Sequence, residues 1–258
     1  MMKSNKTKRI SIITLLILLV FVFSFSIVSA EPNLPIPKIG LSLDEANSPR
    51  EVANSIEILF MLTVLALAPS ILMMMTCFTR IIIVLSFVRK AISTQTTPPN
   101  QVLIGLALFL TFFIMAPIGA KINSDAIQPY LAEEISQEEA LSKAMEPVRE
   151  FMFKQTREKD LALFVNISGS AKPNKLEDVP TKALIPAFII SELKTGFQIG
   201  FVLFIPFIVI DMVVASTLMS MGMMMLPPVM ISLPFKILLF IMVDGWNLVI
   251  KSLIMGFK

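Results

Sequence analysis

Long uncharged runs dominate the chain, separated by short charged or proline-bearing stretches. Residues 58–79 hold no charged side chain; Arg80 interrupts, and the apolar run resumes through Val88 before Arg89-Lys90. A helix needs about 20 apolar residues to cross the ~30 Å hydrocarbon core of a bilayer, so this run predicts a first membrane helix. Residues 93–101 are polar and carry Pro98-Pro99, which predicts a loop. A second span follows over 101–120, a third over 183–215 and a fourth over 229–257. Between the second and third lies a charged insert, 121–182, with nine basic and eleven acidic residues. Within it, 136–159 reads as a soluble helix. Glu138 and Glu139 open it, and Ala140, Ala144, Val148, Phe151 and Met152 recur at spacings of three and four, giving one stripe to bury. Residues 169–180 read as a loop, and no internal repeat is evident.

The first 30 residues follow a different pattern. Lys3, Lys6, Lys8 and Arg9 precede an uncharged run over 10–30 that ends in Val28-Ser29-Ala30, before Glu31-Pro32. A basic start, an apolar middle and small residues before the junction predict a secretory signal peptide, 1–30, cut between Ala30 and Glu31. The alternative is an uncleaved anchor, because the run is long enough to span. Residues 31–53, with Pro32, Pro35, Pro37 and Pro49, then read as an extended exported segment. With that segment outside, Arg89-Lys90 falls on the cytoplasmic side, as the positive-inside tendency asks. The insert 121–182 is then exported, and the 216–228 connection faces inward.

Composition narrows the function classes. The 258 residues are 55% hydrophobic and only 16% charged, against about 25% charged in ordinary soluble domains, which excludes a water-soluble globular enzyme. There is no His for a zinc or haem site or for a Ser-His or Cys-His pair, and one Cys cannot form an intrachain disulfide. Four of the basic residues behind the net charge of +3 lie in residues 1–9, so no basic stripe for nucleic acid remains. No HExxH, GxSxG or P-loop lysine motif occurs, and no cofactor is called for. Asp211 and Asp244 could suggest an intramembrane aspartyl protease, but Asp244 sits in Val-Asp-Gly-Trp, not Gly-x-Gly-Asp.

Two features carry the candidate chemistry. Arg80, Glu192, Lys194, Asp211, Lys236 and Asp244 lie within or beside the apolar runs. A charge at the bilayer centre costs roughly 2.5–3.5 kcal/mol on insertion scales, so these groups should face protein or water and pair. Asp244 and Lys251, seven apart, would share a helix face. Charge placement alone leaves two roles open: a proton or ion relay, or ion pairs between helices or subunits. The second feature is the run of seven Met from Met212 to Met230, centred on Met221-Gly222-Met223-Met224-Met225-Leu226-Pro227-Pro228. Gly222 and the Pro pair weaken a helix there. Flexible thioether side chains fill irregular gaps, so Met221, Met223, Met224 and Met225 are candidates for a deformable seal across a conduit. The plain alternative is methionine facing lipid or core.

Four long motifs resemble a known family. They are Arg80-Ile-Ile-Ile-Val-Leu-Ser-Phe-Val-Arg89, the Thr94–Phe113 stretch containing Thr-Thr-Pro-Pro-Asn-Gln, Pro186-Ala-Phe-Ile-Ile-Ser-Glu-Leu-Lys-Thr-Gly-Phe-Gln-Ile-Gly200, and Pro234-Phe-Lys-Ile-Leu-Leu-Phe-Ile-Met-Val-Asp-Gly-Trp246. Together they resemble the FliP/SctR family over residues 54–258, an export-gate domain carrying the insert. The resemblance implies an all-α membrane protein whose four long hydrophobic helices form broken hairpins in place of simple spans. It also implies a non-enzymatic pore subunit of a type III export gate: a ring, pentameric in the family, built with FliQ- and FliR-like subunits. FlhB- and FlhA-like components would neighbour it in the inner membrane at the flagellar basal body, and unfolded flagellar proteins would be its cargo. On this likeness the four methionines are a pore gasket, and Glu192 and Lys236 fall on positions associated with charged contacts between subunits, which favours assembly over relay. The signal peptide favours the flagellar member over the paralogue of virulence injectisomes. The alternative from another class is an ion-coupled transporter subunit using Asp211, Asp244 or Glu192 as a proton site.

Overall fold

The computed structural model describes residues 49–168, 175, 178–223 and 225–257. Every regular element among them is helical: α1 (Pro49–Met74), α2 (Phe78–Ala91), α3 (Asn100–Ile122), a π-helical turn (Asn123–Ile127), α4 (Gln128–Leu131), α5 (Gln137–Gln155), α6 (Glu158–Ile167), α7 (Thr181–Ser220), α8 (Pro228–Met242) and α9 (Gly245–Met255). The signal peptide, its Ala30–Glu31 junction and most of the 31–53 segment lie outside the described residues. Residues 49–53, expected to be extended, are the first turn of α1. From Asn54 onward the helices form one compact unit.

Four long spans were expected, and among the described residues two helices are long and apolar enough to cross a membrane: Asn100–Leu131 and Thr181–Ser220. Pro228–Met242 and Gly245–Met255, bent by 61°, can together make a third. The first expected span is interrupted at 75–77, leaving a shorter apolar stretch, Ser55–Ile71, before α2. The break has a local cause. The Thr76 hydroxyl donates to Met73 O at 2.8 Å and accepts from the Phe78 N–H at 3.4 Å, competing with the helix ladder. The fourth span is broken at Asp244, whose φ of 50° is left-handed. Its neighbour must be glycine, because a Cβ on Gly245 would lie 2.4 Å from the Phe240 ring. Trp246 then packs edge-on against Phe240, ring centroids 5.4 Å apart. At 1.5 Å per residue, the 40 residues of α7 extend about 60 Å, twice the hydrocarbon thickness. Part of that helix therefore has its surroundings supplied by something other than hydrocarbon.

α2 is the centre of the unit. It buries Ile81, Val84, Leu85, Val88 and Ala91 and runs parallel to α7. Ile83 presses on Gly196 and Phe87 on Gly200, two pairs spaced four residues apart on both helices. Glycine is required at the second crossing, where a Cβ would meet Phe87 Cγ at 2.4 Å. α8 returns antiparallel to α7, bringing Phe240 to Phe207. The insert packs on the first half of α7. Ser136 caps α5, its Oγ accepting the Glu139 N–H at 3.2 Å. Phe151 and Met152 are the buried end of the expected stripe, with Phe151 edge-on to Phe188 at 5.9 Å. The helix ends at Gln155, short of the expected 159, because Thr156 and Arg157 turn extended and the Arg157 N–H bonds Ser191 Oγ at 3.0 Å on α7.

The glycine contacts separate two kinds of site. Gly200→Ala should lower stability by about 1–3 kcal/mol through overpacking. Gly119→Ala, on an open helix face with nothing within 4 Å of the added carbon, should be neutral or stabilising by up to about 1 kcal/mol. Thermal unfolding of the two variants in one detergent checks this; equal shifts would mean that the α2–α7 crossing is not close-packed.

Candidate functional site

Arg80 enters the core on α2 with 4% of its surface exposed, and faces Glu192 of α7, which is fully buried. The pair is bidentate: Arg80 Nε donates to Glu192 Oε2 at 3.0 Å and Nη2 to Oε1. Nη2 also reaches Gln155 Oε1 at 2.9 Å, and Nη1 reaches the Gly256 carbonyl at 3.3 Å. The Phe257 ring lies beneath the guanidinium, 4.0 Å from Cζ to its centroid. One side chain thus joins α2, α5, α7 and the segment after α9. Breaking a buried pair of this kind by removing one partner costs about 3–5 kcal/mol.

A second cluster lies at the opposite end of α2. Lys236 of α8 is buried, and its Nζ donates to Asp211 Oδ2 at 2.5 Å and to Ser93 Oγ at 2.6 Å. Ser232, one turn before Lys236 on the same face, donates from Oγ to Asp211 Oδ1 at 2.5 Å. Ser93 sits just past α2 with a φ of 65°. A third cluster fastens the insert. Lys194 donates to Asp160 Oδ1 of α6, and Ser191 Oγ donates to Oδ2 at 2.9 Å. The Lys194 ammonium foremost, aided by Ser191 against the cost of burial, holds the Asp160 carboxyl below its ordinary value of 3.8.

The six charges singled out in the sequence therefore divide. Arg80 with Glu192, and Asp211 with Lys236, are brought together; Lys194 pairs with an acid of the insert; Glu192 and Lys236 belong to different clusters. Asp244 stands apart at the helix break, accepting from Asn247 Nδ2 at 3.0 Å, and among the described residues no ion pair joins it to Lys251. Sequence reasoning missed Asp160, Gln155, Ser93, Ser191 and Ser232. Only Ser232 left a signal, four residues before Lys236.

The methionine segment joins α7 to α8. α7 ends at Ser220 with Met221 as its C-cap, Gly222 follows at a φ of 75°, and the Gly222 and Met223 N–H groups bond Met219 O at 3.0 Å and Leu218 O at 2.9 Å. This is a Schellman stop, which needs a left-handed residue at the Gly222 position. Pro227 and Pro228 then start α8. Met221 is 71% exposed and Met225 99%, with Met223 also exposed. Met224 lies outside the described residues.

The sequence model of the FliP family matches residues 61–253. The chain belongs to the FliP family. The flagellar biosynthetic protein FliP of Bacillus subtilis (strain 168) is 61% identical over 217 residues, covering 84% of this chain and 98% of that relative. The protein of the same name from Pectobacterium carotovorum subsp. carotovorum is 55% identical over 203 residues, 79% of each chain. That of Aquifex aeolicus (strain VF5) is 50% identical over 225 residues, 86% of this chain and 92% of the relative. The FliP match takes in every charged residue of the three clusters and the methionine loop, and ends before Gly256 and Phe257.

Arg80→Lys should not substitute for arginine, because an ammonium cannot reproduce the forked contact. Both it and Glu192→Ala should strip the detergent-solubilised chain of protease resistance; full resistance in Arg80→Lys would mean that charge alone suffices. The Asp160 anchor has a defined pH sign. A carboxyl held below its ordinary value adds stability that is fully present above 3.8 and is lost as pH falls through the lower, folded value. Protection of the insert from a protease active in acid should therefore persist from neutral pH down to 3.8 and fail below it, whereas Asp160→Asn should lack this acid step.

Proposed function

We propose that this chain is a pore-forming subunit of the flagellar protein export gate. It forms a ring with copies of itself and with FliQ- and FliR-like subunits, beside FlhA- and FlhB-like components, in the inner membrane at the flagellar basal body. Unfolded flagellar proteins pass through that ring. The signal peptide, cut between Ala30 and Glu31, delivers residues 31 onward to the exported face. The observation that carries this reading is the family match over 61–253, which encloses a tip of exposed Met221, Met223 and Met225 between two apolar helices. Thioether side chains reshape at little cost. Several such tips, met at a ring axis, close a conduit to ions and yield to an extended polypeptide.

The role is mechanical, not catalytic. The flagellar names of the relatives described above favour the flagellar gate over its injectisome counterpart. The ion-coupled transporter reading has less support, since the Glu192 and Asp211 carboxylates are each engaged by a cation of the same chain.

Purification through a tag on this chain in mild detergent should yield a multi-copy complex carrying small helical partners. A lone monomer or dimer would overturn the gate reading. In cells that are not exporting, replacing Met221, Met223, Met224 and Met225 with Ala should raise passive potassium leak, and an unleaky membrane would overturn the seal.

A further inference from the structure

The methionine tip is nearly unsupported within the chain. Among the described residues from Met212 to Ile231, only Leu218 is buried, and none bears a charge that could bridge α7 and α8 on the tip side of Asp211. The last polar connection between the two helices, moving toward the tip, is the Asp211–Lys236–Ser232 cluster. From Asp211 to Met221 the helix runs ten residues, about 15 Å. A small change of angle at the cluster is therefore a larger displacement at the tip. The cluster has one further partner, Ser93, which belongs to neither helix but to the turn after α2. That turn is itself tied down: Arg89 donates to the Pro98 carbonyl at 3.1 Å and to Asn100 Oδ1 at 2.7 Å, and the Thr94 hydroxyl donates to the Arg89 carbonyl at 3.0 Å.

We propose that Asp211, Lys236, Ser232 and Ser93 form a clasp that positions the methionine loop, fixing the spread of α7 and α8 and referring it to the rigid end of α2. These are positioning residues; they act on the conduit only through the loop. The inference rests on the reading of Met221–Met225 as a seal, and it adds what holds the seal in register. A polar clasp suits the task, because its bonds are short and directional, whereas apolar packing would let the two helices slide.

Two variants test the clasp without stranding a charge, in the complete complex purified through this chain. Ser232→Ala removes one hydrogen bond to Asp211. Ser93→Gly removes the one from Lys236, and it suits the left-handed backbone at that position, so a purely stabilising role would leave it neutral or improved. Amide hydrogen exchange is followed over 219–226 and, as reference, over α2. Losing a hydrogen bond to a charged group corresponds to about tenfold in an opening equilibrium. The expected result is exchange about tenfold faster in 219–226 and unchanged in α2, in a complex of wild-type mass. Such acceleration in either variant supports the clasp. Wild-type rates in both, a rise spread evenly into α2, or loss of the complex in both would overturn it, the last because the cluster would then hold the fold and not the loop.

The methionine-to-alanine variant separates this inference from the reading beneath it. Potassium leak there, with wild-type loop exchange in Ser232→Ala and Ser93→Gly, overturns the clasp alone. No leak there, with accelerated exchange in the clasp variants, overturns the seal and leaves the clasp standing.

Discussion

A guanidinium set between two apolar stretches has to be answered by an acid, and the fold is arranged around the answer given to Arg80. Its donors go to Glu192, Gln155 and the Gly256 carbonyl, and its face rests on Phe257. These partners lie 112, 75 and 176 residues away for the three hydrogen-bonded groups. Hydrophobic burial is non-directional and would accept several arrangements of the same helices. The α2–α7 crossing shows why that matters. Ile83 and Phe87 press on Gly196 and Gly200 at equal spacing, so the contact could slip by one turn and still bury one pair. A forked pair cannot slip, since its donors and acceptors match in one geometry only. Burial supplies the drive to fold, and Arg80 selects the register.

The second cluster joins the same helices at the other end, next to the methionine loop. Arg80 lies near the start of α2 and Ser93 just past its end, so polar bonds link α2, α7 and the α8–α9 pair at two points about 20 Å apart along α2. The bend at Asp244 lets one broken helix serve both. Lys236 lies before the bend and Gly256 after it, each bonded to a different cluster. The insert is fastened separately, through Asp160 to Lys194 and Ser191 and through Gln155 to Arg80.

What the sequence made legible was what is decided locally. The uncharged runs over 101–120 and 183–215 became helices within a few residues of their expected ends, because hydropathy and flanking prolines act over one turn. Gly222-Pro227-Pro228 as an interruption was readable for the same reason. The break at Thr76 was not, since threonine within a helix is common and only its bond to Met73 shows it ending one. The bend at Asp244 was not either: it depends on Gly245 meeting Phe240 across a turn. That Arg80, Glu192, Asp211 and Lys236 would be paired followed from their cost in hydrocarbon, whereas Asp244, at the helix break, accepts only from the Asn247 amide among the described residues. Which charges would pair did not follow, because the partner of Lys194 lay in an insert that reads as solvated surface.

The apolar surface left over bears on how such a chain meets its neighbours. Most of Ser55–Ile71 is exposed, as are Phe109, Phe112 and Phe113 on α3 and Phe201 on α7. An area of this extent requires lipid or other protein chains. The polar interior asks for nothing comparable: among the described residues, no buried side-chain nitrogen or oxygen lacks a hydrogen-bond partner. Recruiting Glu192 or Lys236 into a contact with another chain would first break bonds that each already makes within its own. Desolvated groups already satisfied gain little by exchanging one partner for another. The exposed helix faces can instead be covered without any such exchange. On these grounds the paired charges set the shape that one chain presents, and the exposed apolar faces are what it leaves for lipid or other chains to cover.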